Sequence, residues 1–317
     1  MTDFELLLSD RLQKIRSMNE LYDLENGAYV SFSGGKDSAV LSELVDMALP
    51  GNGIPRVYID TGIEYRAVSD FVRECAAKDR RIVTVRAGRN ITAMLKKYGY
   101  PFKSKEHSQK VASFQSSGRC KVVRDYLGEG SKKDFLCPVR FMYNFTSRFS
   151  LKVSDRCCWK LKKEPAAKWE KENGRTIAMT GIRKAEGGLR RGLSSCAVFY
   201  DSESRKLHKF YPLLVVPDEW MEEFIRRYGV KLCRIYSPPF SFKRTGCKGC
   251  PYGLELQEEL DVMERFFPAE RRQCESIWGP VYEEYRRIGY RLKGENLPVD
   301  TRRMCRDEDI WVFPSDG

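Results

Sequence analysis

The chain has 317 residues, of which 42% are hydrophobic and 32% are charged, and its formal net charge is +12. This length is sufficient for one large or two modest domains with a buried core, and the composition is typical of a soluble globular protein. No stretch approaches the ~20 consecutive apolar residues of a membrane span. The N-terminus also lacks the pattern of a secretory signal, so we expect a cytoplasmic protein without a membrane partner.

The predicted elements alternate between helices and short apolar strands. In chain order they are a helix over 3–26, a strand over 28–32, a helix over 37–48, a strand over 56–59, a helix over 65–77, strands over 81–85 and 177–180, and a helix over 218–228. Strands that alternate with helices at this spacing form parallel βαβ units. The expected fold is therefore α/β, with a doubly wound, Rossmann-like parallel sheet.

The remaining segments are less regular. Residues 101–156 are polar and basic with scattered aromatic residues, and they predict helices and loops. We expect a nucleotide-binding α/β domain over 1–230. A C-x-x-C segment and a helical C-terminal extension over 231–317 are expected to pack on it.

The turn after the first predicted strand, Ser33–Ser38, reads SGGKDS and has the character of a phosphate site. Its two glycines allow a tight turn that exposes successive backbone N–H groups, and the following helix adds the positive end of its dipole. Lys36 contributes a charge, and the serines contribute hydroxyl groups. Asp37 beside a phosphate implies an intervening Mg²⁺. The alternative is an ordinary strand–helix turn with a serine cap.

Four of the eleven cysteines form two tight pairs, Cys157 with Cys158 and Cys247 with Cys250. An odd cysteine count without an export signal argues against a disulfide framework. A C-x-x-C offers two thiolates to one metal centre. Two adjacent cysteines can bind two different irons of a cluster more easily than they can both bind one small metal ion. The pattern favours an iron–sulfur cluster over zinc, the alternative being four unrelated buried thiols.

The SGGKDS turn resembles the PP-loop of the adenine nucleotide alpha hydrolase superfamily, whose members typically cleave ATP between the α and β phosphates and adenylate a substrate. The segment Asp60–Gly62 resembles the Asp-Thr-Gly of the phosphoadenylylsulfate (PAPS) reductase family within it. The resemblance implies an adenine nucleotide site for ATP, adenylylsulfate (APS) or PAPS. Its nucleotide-binding residues would be Ser31, Ser33, Gly34, Gly35, Lys36, Asp37, Ser38, Asp60, Thr61, Gly62, Lys162, Gly181 and Arg183.

The segments that carry the cysteine pairs sharpen the resemblance. Residues 157–165, CCWKLKKEP, are similar to the Cys-Cys-x-x-Arg-Lys-x-Glu-Pro stretch of APS reductases, with Leu161 in place of the arginine. Residues 180–186 resemble a substrate-binding segment of that family, and residues 245–250 resemble its second cysteine pair. The family's four cysteines hold a 4Fe-4S cluster. The implied ligands here are Cys157, Cys158, Cys247 and Cys250, with Cys196 as a replacement ligand or, alternatively, a buried apolar thiol.

The resemblance also implies roles at the reacting phosphates. Lys36 would hold phosphate, Asp37 would hold Mg²⁺, and Arg183 and Arg190 would stabilise the charge that develops on the transferred group. Two features depart from APS reductases. The C-terminal Glu-Cys-Gly-Leu-His motif of the nucleophile is missing, although Cys305 stands among arginines, and the phosphate loop is of the ATP-cleaving type.

The same combination of loop and cluster occurs in the PAPS-reductase-like enzyme of bacterial DNA phosphorothioation. The favoured hypothesis is therefore ATP-dependent adenylation coupled to sulfur transfer, with nucleic acid or a sulfur-donor protein as candidate partners. One alternative is thiol-dependent reduction of APS or PAPS to sulfite, with Cys305 as the nucleophile. The other is a nucleotide- or nucleic-acid-binding regulator without turnover. The basic residues fit phosphate binding or an ordinary solvated surface.

Overall fold

A computed structural model describes residues 2–130, 135–201, 205–238 and 240–294. The chain divides into two compact units, each made of two segments. The first, which we call the α/β unit, comprises Met1–Ala87 and Lys162–Gly246, and the second, the cysteine unit, comprises Gly88–Leu161 and Cys247–Gly317. This division differs from the expected boundary at residue 230, since residues 88–161 belong with the C-terminal segment.

Helices account for most of the described elements. In chain order they are α1 (Asp3–Tyr22), α2 (Leu24–Gly27), α3 (Lys36–Ala48), α4 (Arg66–Ala76), α5 (Ile91–Tyr98), α6 (Lys105–Ser117), α7 (Lys121–Tyr126), α8 (Arg156–Cys158), α9 (Glu164–Asn173), α10 (Asp218–Tyr228), α11 (Leu256–Phe266) and α12 (Pro268–Arg287). Short 3₁₀ helices lie at Val139–Phe145, Lys184–Glu186, Gly188–Gly192 and Arg234–Tyr236, and a π-helical turn lies at Trp159–Lys163. No described helix is both long enough and apolar enough to span a bilayer.

The strands form one sheet in the α/β unit. They are β1 (Ala28–Ser31), β2 (Arg56–Asp60), β3 (Ile82–Arg86), β4 (Ile177–Met179), β5 (Ala197–Phe199) and β6 (Leu207–Phe210). Their order among the described residues is β3-β2-β1-β4-β6-β5. All neighbours pair in parallel except β5, which pairs antiparallel with β6 at one edge. The predicted α/β class and parallel sheet are confirmed.

Strand β1 carries apolar residues on both faces, as expected when helices cover a sheet on both sides. Val30 packs in a buried cluster with residues of α1, α3 and α10, such as Leu44 and Phe224. Its neighbour Tyr29 packs instead with Trp169 of α9, at a centroid distance of 5.3 Å. The strand order also reverses beside β1, because the chain leaves it toward β2 and returns at β4. Ligands of open α/β sheets bind at the carboxyl ends of strands flanking such a reversal.

The cysteine unit has an aromatic core around a buried histidine. His107 of α6 is fully buried, and its ring nitrogens lie 3.0 Å from the Tyr126 hydroxyl and 3.0 Å from Asn144 Oδ1. Phe141 and Phe145 pack against the same ring. The segment that the sequence predicted only as helices and loops therefore has a defined core of its own.

Candidate functional site

The phosphate loop, Ser33–Ser38, follows β1, which ends at Ser31, and includes the first turn of α3, which begins at Lys36. Gly34 has a φ of +70°, and a Cβ there would lie 2.8 Å from Val72 Cγ2, so any other residue would be strained and would clash. The loop therefore has the tight, glycine-dependent turn that the sequence predicted.

Hydrogen bonds inside the loop hold this turn. Ser33 N–H donates to Ser38 Oγ at 3.2 Å, Gly35 N–H donates to Ser33 Oγ at 3.3 Å, and Ser38 Oγ donates to the Gly35 carbonyl at 2.8 Å. The two hydroxyl groups that we expected on phosphate thus also support the loop itself. A preorganised loop does not have to be ordered by the ligand, which lowers the entropic cost of binding.

Two residues that sequence reasoning did not identify lie against the loop. The Tyr236 hydroxyl accepts the Lys36 N–H at 3.2 Å and donates to Thr245 Oγ1 at 3.3 Å. A Cβ at Gly35 would lie 2.5 Å from Thr245 Oγ1, so glycine is needed for this approach. In the sequence, the only signal at Thr245 is its position beside the C-x-x-C, and Tyr236 lies in a segment without a recognisable motif.

Arg183 joins the first turn of α3 to Val216 and to the first residue of α10, Asp218. Its side chain is 2% exposed. Nε donates to Asp37 Oδ1 at 2.7 Å, Nη2 donates to Asp218 Oδ1 at 2.7 Å, and Nη1 donates to the Val216 carbonyl at 3.2 Å. The hydrogen bond from Arg183, together with a smaller effect of the Lys36 charge, lowers the pKa of Asp218. These contacts direct the guanidinium toward protein carboxylates, and they give Asp37 a cationic partner.

The end of β4 approaches α3 closely because Gly181 lacks a side chain. A Cβ at Gly181 would lie 2.8 Å from the Asp37 carbonyl oxygen. Farther along this segment, Glu186 accepts the Arg183 N–H at 3.2 Å and forms an ion pair with Arg190. The Arg190 side chain is 40% exposed, so of the two predicted arginines it is the more accessible.

The Asp60–Gly62 turn after β2 is stabilised by a carboxylate that the sequence analysis missed. Glu64 Oε2 accepts the Thr61 N–H at 3.1 Å, and Glu64 Oε1 accepts the Thr61 hydroxyl at 2.6 Å. Gly62 has a φ of +77° and donates its N–H to Asp60 Oδ1 at 2.9 Å. Glu64 belongs to no recognisable motif, so its sequence signal is weak.

Two cavities adjoin the phosphate loop. The first, of about 220 Å³, lies at the carboxyl ends of β1 and β2 and has a partly apolar lining that also includes Lys162 and Lys163. The second, of about 210 Å³, surrounds the loop and is mainly polar. Its lining includes Asp37, Ser38, Gly181, Arg190, Lys243 and Arg244. The two cavities share Ser31, Ser33 and Thr245. Lys36 lines a neighbouring cavity of about 600 Å³.

The predicted cysteine ligands all lie in the cysteine unit. The Sγ atoms of Cys157 and Cys158 are 4.0 Å apart, and Cys157 is 5% exposed. The hydrogen bond to Cys158, burial, and the charges of Cys158, Cys250 and Cys247 raise the pKa of the Cys157 thiol. The other three predicted ligands thus all act on the Cys157 thiol. No group of three or more His, Cys, Asp or Glu side chains among the described residues is arranged for a single metal ion.

Helix α12 fixes the C-x-x-C loop through its backbone carbonyl groups. Trp278 Nε1 donates to the Lys248 carbonyl at 3.1 Å, the Tyr282 hydroxyl donates to the Gly249 carbonyl, and the Tyr285 hydroxyl donates to the Pro251 carbonyl at 3.0 Å. The three donors are spaced four and three residues apart, so they lie on one face of the helix. We call them the α12 donors.

The packing around the C-x-x-C loop requires glycine at its centre. Gly249 has a φ of +59°, and a Cβ there would lie 2.8 Å from Cys274 Sγ.

Cys196, the predicted replacement ligand, lies instead in the α/β unit and packs against its apolar core. Cys305 lies outside the described residues.

Known proteins resemble this chain over different lengths. An uncharacterised protein of Methanocaldococcus jannaschii, MJ0973, is 30% identical over 135 residues, which are 39% of this chain and 32% of that protein. The matched region thus spans about a third of this relative. A PAPS reductase of Candida auris has 17% identity and a TM-score of 0.40, with coverage of 70% of this chain and 81% of that chain. The U34-tRNA thiolase NcsA of Methanococcus maripaludis, solved with its [4Fe-4S] cluster, has 14% identity and a TM-score of 0.37. The match covers 88% of this chain and 80% of that chain.

The family match spans both units. Residues 27–125 and 139–253 match the sequence model of the phosphoadenosine phosphosulfate reductase domain. These ranges include the phosphate loop, the Asp60–Gly62 turn, the Arg183 segment and both cysteine pairs, and they make up well over half of the chain. The chain belongs to the phosphoadenosine phosphosulfate reductase domain family.

Proposed function

We propose that this protein uses ATP to adenylate an acceptor and then replaces the adenylated oxygen with sulfur. The observation that carries the proposal is the pair of adjoining cavities at an intact SGGKDS loop. A partly apolar cavity suits an adenine ring and ribose, and a polar cavity with backbone donors suits phosphates. Because the cavities share Ser31, Ser33 and Thr245, one adenine nucleotide would occupy both.

The charges around the loop suit the departure of pyrophosphate. Lys36, Arg190, Lys243 and Arg244 line the cavities next to the loop. In the proposed step an acceptor oxygen attacks the α-phosphorus, the bond to the bridging oxygen breaks, and pyrophosphate leaves with its negative charge. Fixed cations stabilise that charge as it develops. Asp37 would hold Mg²⁺ through the carboxylate oxygen that does not face Arg183.

Sulfur would enter in a second step. A donor at the oxidation level of sulfide attacks the carbon that bears the adenylated oxygen, the carbon–oxygen bond breaks, and that oxygen leaves with AMP, so no external oxidant or reductant is required. Cys157, Cys158, Cys247 and Cys250 would hold a 4Fe-4S cluster. The influence of the other three thiols on Cys157 and the fixed loop at Cys247–Cys250 support this ligand set. A cluster held by all four thiolates has no open position on iron, so it would supply charge and structural order, and the sulfur would come from the separate donor.

The family name supports a second candidate, the reduction of APS or PAPS to sulfite. That reaction needs a nucleophilic thiolate, for which Cys305 is the sequence candidate. A third hypothesis is a regulator that binds nucleotide or nucleic acid without turnover.

One set of assays separates the three hypotheses. Protein purified without oxygen is incubated separately with ATP, APS and PAPS, each with bulk nucleic acid as the candidate acceptor and a dithiol as the reductant, and pyrophosphate and sulfite are measured. The proposal predicts pyrophosphate from ATP, and its loss in Lys36→Ala but not in the exposed control Lys168→Ala. Sulfite from APS or PAPS would instead support the reductase, and nucleotide binding without any product would support the regulator.

A further inference from the structure

The cysteine unit contains a cavity of about 910 Å³ that the proposed chemistry does not use. It lies between α6 and the segment 146–156, and we call it the α6 groove. Its lining is about equally polar and apolar, and the polar part includes hydroxyl and amide groups such as those of Gln109, Ser113, Ser116 and Ser147. On α6 the lining positions 109, 112, 113 and 116 follow helical spacing, so one face of the helix forms a wall. The volume is near the upper end of the range for ligand sites.

The charged residues that line the α6 groove are predominantly basic. Lys97, Lys152 and Arg156 contribute three positive charges, and Asp155 contributes one negative charge among the described lining residues. Lys152 Nζ donates to the Lys97 carbonyl at 2.7 Å, which brings the two lysines together. Cations mixed with hydroxyl groups bind phosphodiesters through charge and hydrogen bonds at the same time.

An aromatic ring lies beside one of these cations, because Tyr98 lines the α6 groove and its ring centroid is 5.4 Å from Lys97 Nζ. Outside the lining, Lys160 Nζ lies 5.2 Å from the Tyr98 ring centroid and 4.8 Å from the Trp159 ring centroid, so Trp159 adjoins the groove through Lys160. Trp159 is 48% exposed, although a large apolar ring is usually buried. Cations that alternate with accessible rings are the pattern that binds single-stranded nucleic acid, whose unpaired bases stack on aromatic side chains.

From this juxtaposition we infer that the α6 groove and the rings of Tyr98 and Trp159 bind a single-stranded segment of nucleic acid. Arg156 lines the groove and directly precedes Cys157, so the bound strand would lie next to the cysteine set. The strand would then be the acceptor that receives sulfur, a part of the inference that rests on the proposed function. RNA and DNA share the chemistry that the α6 groove recognises.

The test measures strand binding without ATP. Fluorescence anisotropy is recorded for the anaerobically purified full chain with a labelled 12-nucleotide oligouridine RNA and with the matching oligodeoxyuridine DNA. The groove variant Lys97→Ala/Lys152→Ala/Arg156→Ala is compared with Lys78→Ala/Lys168→Ala/Lys171→Ala, which removes equal charge from exposed positions of the α/β unit. We expect at least a tenfold loss of affinity in the groove variant alone. The slope of the logarithm of affinity against the logarithm of salt concentration is negative, and its magnitude should decrease by about 2 for three lost phosphate contacts.

A second variant covers the possibility that the triple substitution disturbs folding. Trp159→Ala changes an exposed ring and should weaken binding about tenfold, whereas Trp159→Phe should retain most of the affinity because it preserves stacking. Tighter binding of RNA than DNA would identify the 2′-hydroxyl as part of the recognition. Absence of binding to both strands, equal losses in the two triple variants, or equal displacement by polyglutamate of matched charge would overturn the inference. Since ATP is absent, a negative result would leave the pyrophosphate assay as an independent test of adenylation.

Discussion

Arg183 Nε lies 2.7 Å from Asp37 Oδ1, so the conspicuous carboxylate of the phosphate loop is paired with a buried guanidinium. The same arginine reaches Asp218 and the Val216 carbonyl. Sequence reasoning assigned Asp37 to Mg²⁺ and Arg183 to the transferred group. The observed contacts indicate a positioning role for Arg183, because three acceptors on different segments fix its orientation. Asp37 keeps a second carboxylate oxygen for the predicted Mg²⁺.

We expect Arg183→Met to destabilise the protein. The variant loses the hydrogen bonds to Asp37, Asp218 and the Val216 carbonyl, which should cost about 1–3 kcal/mol because both carboxylates stay partly exposed to water. Arg183→Lys should restore only part of this loss, since an ammonium group cannot reach three acceptors with the geometry of a guanidinium. Urea unfolding followed by circular dichroism measures the free energy of unfolding. Arg190→Met, which changes a more exposed ion pair, is the control and should cost under about 1 kcal/mol. Equal losses in the two variants would contradict the positioning role.

Lys36→Ala should weaken ATP binding. A hydrogen bond to a charged group contributes about 1.5–3 kcal/mol, which corresponds to roughly a 10- to 150-fold change in the dissociation constant. Calorimetric titration of ATP into the anaerobic protein measures that constant, with Lys168→Ala as the control. Unchanged affinity for ATP, APS and PAPS alike would show that the loop does not hold phosphates.

Much of the α/β unit could be predicted from the sequence because its signals are local. Apolar runs predicted β1 to β4, and the glycines of the phosphate loop predicted a turn that requires a positive φ at Gly34. Strands β5 and β6 were not predicted, because β6 carries polar side chains and β5 is an apolar run of only three residues. Short strands of this kind depend on pairing in the sheet, which is a tertiary effect.

Contacts between distant segments could not be predicted. Tyr236 and Thr245 reach the phosphate loop from about 200 residues away in sequence, and no local pattern indicates such an approach. The α12 donors have helical spacing, which predicts a helix face but not that their polar atoms bind the C-x-x-C loop. The expected domain boundary at residue 230 differs from the observed division into units for a similar reason. Residues 88–161 belong with the C-terminal segment through packing that the order of elements does not reveal.

Tyr282→Phe should loosen the C-x-x-C loop without removing a thiol. The variant leaves the buried Gly249 carbonyl without its phenol donor, at a cost of about 1–3 kcal/mol. Wild-type protein isolated without oxygen should be brown and contain about four irons per chain. We expect the variant to lose its visible absorbance to a chelator several times faster. Tyr228→Phe, in the α/β unit, is the control. Stoichiometric zinc without iron in the wild type would rule out the cluster itself.

His107 should make stability depend on pH. Burial, with a smaller contribution from the Lys103 charge, lowers the pKa of His107 to about 3, against about 6.5 in an unfolded chain. Between these values the unfolded state binds one more proton, so the contribution of His107 is complete above about pH 6.5 and declines as the pH falls toward 3. Between pH 7.5 and 5.5 the loss should be about 1.4 kcal/mol relative to His107→Gln. Urea unfolding at both pH values measures it, and parallel changes in the two proteins would exclude this histidine as the cause.

The last prediction separates sulfur transfer from reduction through two cysteines. A reductase needs a free thiolate to attack the sulfuryl sulfur, and neighbouring arginines would favour that form at Cys305. Adenylation by ATP requires no such nucleophile. We therefore expect Cys305→Ser to retain nearly full pyrophosphate release and sulfur transfer. Cys250→Ala should abolish sulfur transfer because it removes a proposed cluster ligand. If Cys305→Ser instead abolishes sulfite formation from APS while the visible spectrum of the cluster is unchanged, the reductase hypothesis is correct and the proposed function is wrong.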